Sequence, residues 1–147
     1  MKYSNSLFAI IFTLSLLSMQ NMNAQTIPTE AQVNKFVNNK HFLVTYREGE
    51  ALYGTYYFLE VHYCPTGSYL LYGSTVKKTV LGNEQRNNWQ EAGSWKAVKY
   101  NGSVGLYYKV NTGEEKFFPL YLLPNGNLTL GEGISIVLQG KAICNWP

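Results

Sequence analysis

Aspartate is absent from this chain, and nine glutamates are its only acidic residues. Histidine occurs twice, at His41 and His62, and cysteine twice, at Cys64 and Cys144. A serine or cysteine hydrolase needs a nucleophile, a base and an orienting group in mutual reach. With two histidines, no Asp and no Gly-x-Ser-x-Gly elbow, nothing in the sequence supports such a set. Charge is sparse as well: 12 basic against 9 acidic residues leave +3, spread along the chain. That balance gives no argument for nucleic-acid binding. Long apolar runs are also missing. A membrane-spanning helix needs about 20 apolar residues, and the run from Leu7 to Leu17 is about half of that.

That short run reads as the apolar centre of a secretory signal peptide. Lys2 supplies the positive start, and a polar stretch leads to Asn23-Ala24-Gln25. The sequence therefore predicts removal of residues 1–24, a single domain over 25–147, and a secreted or periplasmic location without a transmembrane segment. No cysteine follows the run, so a lipid-anchored start is not indicated. In an exported chain, two cysteines favour one disulfide, Cys64–Cys144, with two free thiols as the alternative. Closing a loop of about 80 residues stabilises by roughly 4–5 kcal/mol on the chain-entropy model.

After Gln25 the pattern has two regimes. Pro28 and Thr29 precede a helix-start signal, and Val33, Phe36 and Val37 fall on one helical face, predicting a short amphipathic helix packed as a plug on a sheet. From His41 onward the period is two. Phe42, Val44 and Tyr46 share a face, and Thr55 to Cys64 is rich in aromatic and β-branched residues, which suit strands. Pro65-Thr66-Gly67, Asn101-Gly102, Thr112-Gly113, Pro124-Asn125-Gly126 and Gly131-Glu132-Gly133 mark turns. Asn101-Gly102 accepts the positive φ angles of a type I′ hairpin, joining Trp89–Tyr100 to Ser103–Val110. Pro119 hints at an edge or a bulge within Glu115 to Leu123. The polar residues Val76 to Asn88 read as a long loop, a length that is functional or mobile in compact domains.

About eight strands joined by short turns form an antiparallel meander. Closing the meander removes its exposed edges, so the expected fold is all-β, an up-and-down barrel with an N-terminal helix. A two-sheet sandwich is the runner-up. Gly93-Ser94-Trp95, the barrel-sized meander, the amphipathic segment ahead of the first strand and a disulfide from the chain end together resemble the calycin group, the lipocalin and avidin-type barrels. In lipocalins the Gly-x-Trp motif stands on the first strand, whereas here it falls near the middle. The resemblance thus implies a lipocalin-like architecture and an internal cavity, with no named ligand.

Candidate chemistry is thin. Glu60, His62 and Cys64 alternate along one strand, about 6.7 Å apart on one face, too far for one metal without bending; a disulfide would also remove Cys64 as a ligand. The expected reading is a solvated outer face, with Tyr57, Leu59, Val61 and Tyr63 inward. No metal, cofactor or catalytic residue is assigned, and the chain reads as a non-enzymatic, monomeric binding protein. Its first expected role is to carry a small apolar or amphipathic ligand in a barrel cavity lined by Trp95, Leu106, Tyr108 and Phe118. The alternatives are a protein-interaction or inhibitor module working through loop 76–88, and a carbohydrate-binding module with Tyr56, Tyr69 and Tyr107 facing outward. Asn101-Gly-Ser103 and Asn127-Leu-Thr129 have the glycosylation spacing, but both asparagines belong to turn signals.

Overall fold

The computed structural model describes residues 26–146. The signal-peptide expectation, over 1–24, lies outside the described residues. Among the described residues, one helix, α1 (Glu30–Val37), precedes nine strands: β1 (Lys40–Glu48), β2 (Thr55–Tyr63), β3 (Ser68–Lys78), β4 (Glu84–Tyr100), β5 (Ser103–Val110), β6 (Glu115–Pro119), β7 (Tyr121–Leu122), β8 (Leu128–Thr129) and β9 (Ser135–Lys141). Seven of them form one antiparallel sheet in the order β6-β5-β4-β3-β2-β1-β9, and β7 pairs with β8 separately. Among the described residues no helix is long and apolar enough to cross a membrane.

The meander from β1 to β6 follows the turn chemistry of the sequence. Asn101 and Gly102 take φ of +47° and +79°, the two positive angles a type I′ turn requires. That turn sets Trp95 opposite Tyr108 and Ala97 opposite Leu106, so the apolar faces of the two strands coincide. Cys64 N–H donates to Ser68 O across the Pro65-Thr66-Gly67 turn at 2.8 Å.

The chain departs from a simple meander in three places. Residues 76–88 are not a long loop: β3 runs on to Lys78, β4 starts at Glu84, and only residues 79–83 turn. Lys77 pairs with Gln85 and Val76 with Arg86. The first residues of β4, 84–88, are exposed on both faces, which erased the alternation that marks a half-buried strand. Pro119 ends β6 at the edge of the sheet, where its missing N–H costs no ladder bond, and the expected strand through Leu123 splits into β6 and β7. Last, β9 returns to the start of the chain and pairs with β1, with a bulge between His41 and Phe42.

The sheet is strongly curled. Phe118 on β6 and Ile136 on β9 are at opposite ends of the strand order, yet line one cavity. Seven strands at about 4.8 Å spacing would hold β6 and β9 about 29 Å apart if flat. No strand pairing joins β6 to β9 among the described residues. Leu120 and Leu128 from the β7–β8 segment are buried in the core, and Leu120 N–H donates to Val104 O at 3.0 Å.

Helix α1 forms for local reasons and is retained by packing. Thr29 caps it: its Oγ1 accepts from Gln32 N–H at 3.1 Å, while Gln32 Oε1 accepts from Thr29 N–H at 2.8 Å. Eight residues are too few for an isolated helix to persist in water. Val33 and Val37 are buried in the core, each contributing on the order of 1.5–3 kcal/mol. Glu30 also accepts from the Lys99 backbone N–H of β4 at 2.6 Å, tying the first turn to the sheet.

Cys64 and Cys144 form a disulfide with Cα atoms 5.8 Å apart. Beside it, Ala142 N–H donates to Asn39 O, and Ile143 N–H donates to Nδ1 of His62. The C-terminal segment thus lies against the outer side of β1 and β2. This corrects the expectation of a solvated face: Leu59, Val61 and Tyr63 do point inward, but His62 is only 3% exposed and Cys64 is buried.

Candidate functional site

The inner face of the sheet lines a partly open cavity of about 410 Å³. Phe42, Val44 and Tyr46 of β1, Leu59, Val61 and Tyr63 of β2, and Leu71 of β3 form one wall; Leu106 and Tyr108 of β5 and Phe118 of β6 form the other. Alternation puts these residues on one face of each strand. Phe36 and Val37 of α1, Leu120, Leu130 and Ile134 from the connecting segments, and Ile136 of β9 complete the lining. Phe118 is 45% exposed, which places it where the cavity meets solvent.

Of the four residues expected to line a cavity, Leu106, Tyr108 and Phe118 do so. Trp95 is not among the lining residues. It is buried in the core, its ring edge-on to Tyr63 with centroids 5.5 Å apart, and its Nε1–H donates to Cys64 O at 3.2 Å. The indole therefore joins β4 to the start of the β2–β3 turn. A different tryptophan, Trp89, reaches the cavity. It lies over Gly73 of β3, where an added Cβ would come within 2.1 Å of the indole ring. Glycine at position 73 makes room for the tryptophan opposite it.

Two charged residues break the apolar wall. Glu91 of β4 and Lys116 of β6 both line the cavity, and Lys116 Nζ stands 2.7 Å from Glu91 Oε2. The other carboxylate oxygen accepts from Tyr69 O–H at 2.7 Å. Their side chains are 16% and 29% exposed, so the pair is shielded enough to hold a defined geometry. Tyr63 and Tyr108 share a hydroxyl–hydroxyl hydrogen bond beside it.

Burial sets the protonation of these phenols. Tyr63 is pushed up to about 12 by burial, against the smaller opposing effect of the Tyr108 hydrogen bond. Tyr108 is driven well above the ordinary phenol value by burial, and further by Tyr63. Tyr69 is raised by burial and then by its bond to the Glu91 carboxylate. All three are neutral donors at physiological pH, so the site offers one carboxylate, one ammonium and fixed hydroxyls in an apolar container. Neither charged residue was singled out from sequence, although Glu91 alternates with Trp89, Gly93 and Trp95, and Lys116 with Phe118. A charge at an inward position of an apolar alternation was the available signal.

The remaining candidates fall elsewhere. Tyr69 is buried inside, so Tyr56, Tyr69 and Tyr107 do not form an outward row. Tyr56 and Tyr107 instead sit beneath Lys78 and Lys96, with ammonium-to-ring distances of 5.3 and 5.0 Å. Glu60 and His62 are joined on the outer face by His41 from the neighbouring strand. Comparison with protein-family models, with curated proteins and with solved structures finds no match to this chain.

Proposed function

We propose that this chain is a non-enzymatic binding protein that holds one small amphipathic molecule on the inner face of its curled sheet, in a container that acts as a lipocalin-like barrel. The observation that carries the reading is the Glu91–Lys116 pair set in an otherwise apolar cavity of about 410 Å³. Small-molecule sites are concave and mostly apolar, with a few fixed polar groups that orient the ligand. An apolar tail would lie against Val44, Leu59, Val61 and Ile136, and a polar head would meet Lys116, Glu91 and the Tyr108 hydroxyl.

The proposal extends to a signal peptide over 1–24, export to an oxidising compartment, and a monomer. The Cys64–Cys144 disulfide is compatible with an extracellular or periplasmic place. The interaction-module alternative would work through the β3–β4 hairpin and its five-residue turn rather than through a long loop.

Native mass spectrometry of the mature protein purified from its own source tests the reading. One organic molecule per chain, displaced by an alkyl carboxylate or alkyl amine, is the expected result. A chain that emerges without any adduct and takes up neither class counts against it.

A further inference from the structure

On the outer face of β1 and β2, away from the cavity, His41, Glu60 and His62 bring one donor atom each within 4.8 Å of one another. His41 and His62 are directly paired across the two strands, and Glu60 precedes His62 by two residues on the same face. We infer that these three side chains form a binding site for a single divalent transition-metal ion of the zinc class.

The donor spacing is the first argument. A tetrahedral ion with bonds of about 2.0–2.2 Å holds its donors about 3.4 Å apart. Glu60 Oε1 lies 2.9 Å from His41 Nε2 and 3.7 Å from His62 Nε2, distances that bracket that value. Two imidazoles and one carboxylate suit zinc, copper or nickel rather than magnesium or calcium, which take oxygen ligands.

The second argument is an unmet bond. His41 Nε2 is shielded from solvent and has no aligned hydrogen-bond partner; its approach to Glu60 is close in distance alone. A buried polar atom without a partner calls for an explanation, and an ion is one of the few. The backbone around it is also irregular. The bulge between β1 and β9 falls at His41, and the residue opposite on β9 is Gly140, where an added Cβ would meet nothing within 4 Å. Bulges re-aim side chains beside functional sites, and here the strand neighbour places no side chain over the ring.

The geometry also states what must move. The two imidazole rings are stacked, with centroids 4.0 Å apart and planes 18° apart, so their lone pairs run side by side. His41, whose Nε2 has no aligned hydrogen bond, turns to converge on the ion. Because His62 Nδ1 accepts from Ile143 N–H at 3.2 Å, its ring proton sits on Nε2. Coordination through Nε2 moves that proton to Nδ1 and breaks the bond to Ile143. Ion binding is thereby linked to the C-terminal segment, which the disulfide at Cys144 keeps in place.

The test is titration of the disulfide-intact, tag-free chain with Zn2+ in competition with a chromophoric chelator, repeated for His41→Ala and Glu60→Gln. One ion per chain is expected, with affinity lowered at least about 100-fold in each variant, since even residues supporting a ligand are worth 10–100-fold. Cu2+ on the same chain should give an electron paramagnetic resonance signal with two equivalent-type nitrogen couplings, falling to one in His41→Ala. The Ile143 amide should exchange faster with Zn2+ present. Failure of the wild-type chain to bind Zn2+, or equal affinity in wild type and both correctly folded variants, overturns the proposal.

Discussion

Lys116 Nζ and Glu91 Oε2 stand 2.7 Å apart at the edge of an apolar cavity, on strands separated by the whole of β5. Their encounter depends on the registers of β4 with β5 and of β5 with β6, which place Lys116 opposite Tyr108 and Tyr108 opposite Trp95. Truncating one partner leaves the other shielded and incompletely bonded. Lys116→Met should cost about 1–3 kcal/mol in urea unfolding. The double variant Glu91→Leu/Lys116→Met should cost less than the sum of the singles, because it leaves no orphaned charge. Additive losses would show that the two side chains do not act as a pair.

The three inner phenols should make the protein sensitive to alkali. Tyr63 ionises at about 12 in the folded chain against 10.0 ordinarily, and Tyr69 and Tyr108 are also shifted upward. Between these values the unfolded chain has lost its proton and the folded chain has kept it, so stability falls as pH rises. The stabilisation is complete below about pH 10 and is lost as pH climbs through the folded values. Thermal unfolding from pH 7 to 11.5 should show a downturn starting near pH 10, shallower in Tyr63→Phe. A flat profile across that range contradicts the burial-driven shifts.

Gly73 and Trp89 give a steric prediction. A side chain at 73 has no space beneath the indole, since its Cβ would lie 2.1 Å from the ring. Gly73→Val should therefore destabilise by about 1–3 kcal/mol through overpacking, although valine suits a strand better than glycine does. In the Trp89→Ala background the penalty should shrink or reverse, and chemical denaturation of the four proteins reads out the cycle.

Reduction of the disulfide separates local from global effects. The bridge spans 80 residues, which gives it up to about 4.5 kcal/mol on the chain-entropy model. Cys64→Ala/Cys144→Ala should lower unfolding stability by 2–4.5 kcal/mol and speed exchange at Ile143, whose contact with His62 lies beside the bridge. Unchanged exchange there would mean that other contacts hold the C-terminal segment.

Local chemistry made much of the fold legible. Thr29 with Gln32, Asn101-Gly102 and the aromatic run of β2 each specify their own geometry within a few residues. What stayed hidden depends on distant partners. The β3–β4 hairpin is hidden because residues 84–88 are polar on both faces and carry no alternation. The pairing of β9 with β1 is one that closure of the meander implies, but its register, across about 95 residues, has no local signal, and β6 does not pair with β9 among the described residues. The same holds for the sites. Leu106, Tyr108 and Phe118 could be placed on an inner face by period alone, whereas Trp95 shares that face but lies beyond the cavity. His41 could not be matched to His62 without the β1–β2 register, because the intervening turn has no fixed type.

The central claim is that the inner cavity takes up a molecule with an apolar body. The most direct measurement is fluorescence titration of the chain from residue 25 to 147 with N-phenyl-1-naphthylamine, comparing wild type with Val44→Phe. Val44 lines the cavity, so the larger ring has space to occupy and should cost little stability. The account predicts saturable binding of one probe per chain to wild type, displacement by alkyl carboxylates, and loss of at least about tenfold in affinity when phenylalanine fills the space. Equal binding by both proteins, or no saturable binding by wild type, would contradict it.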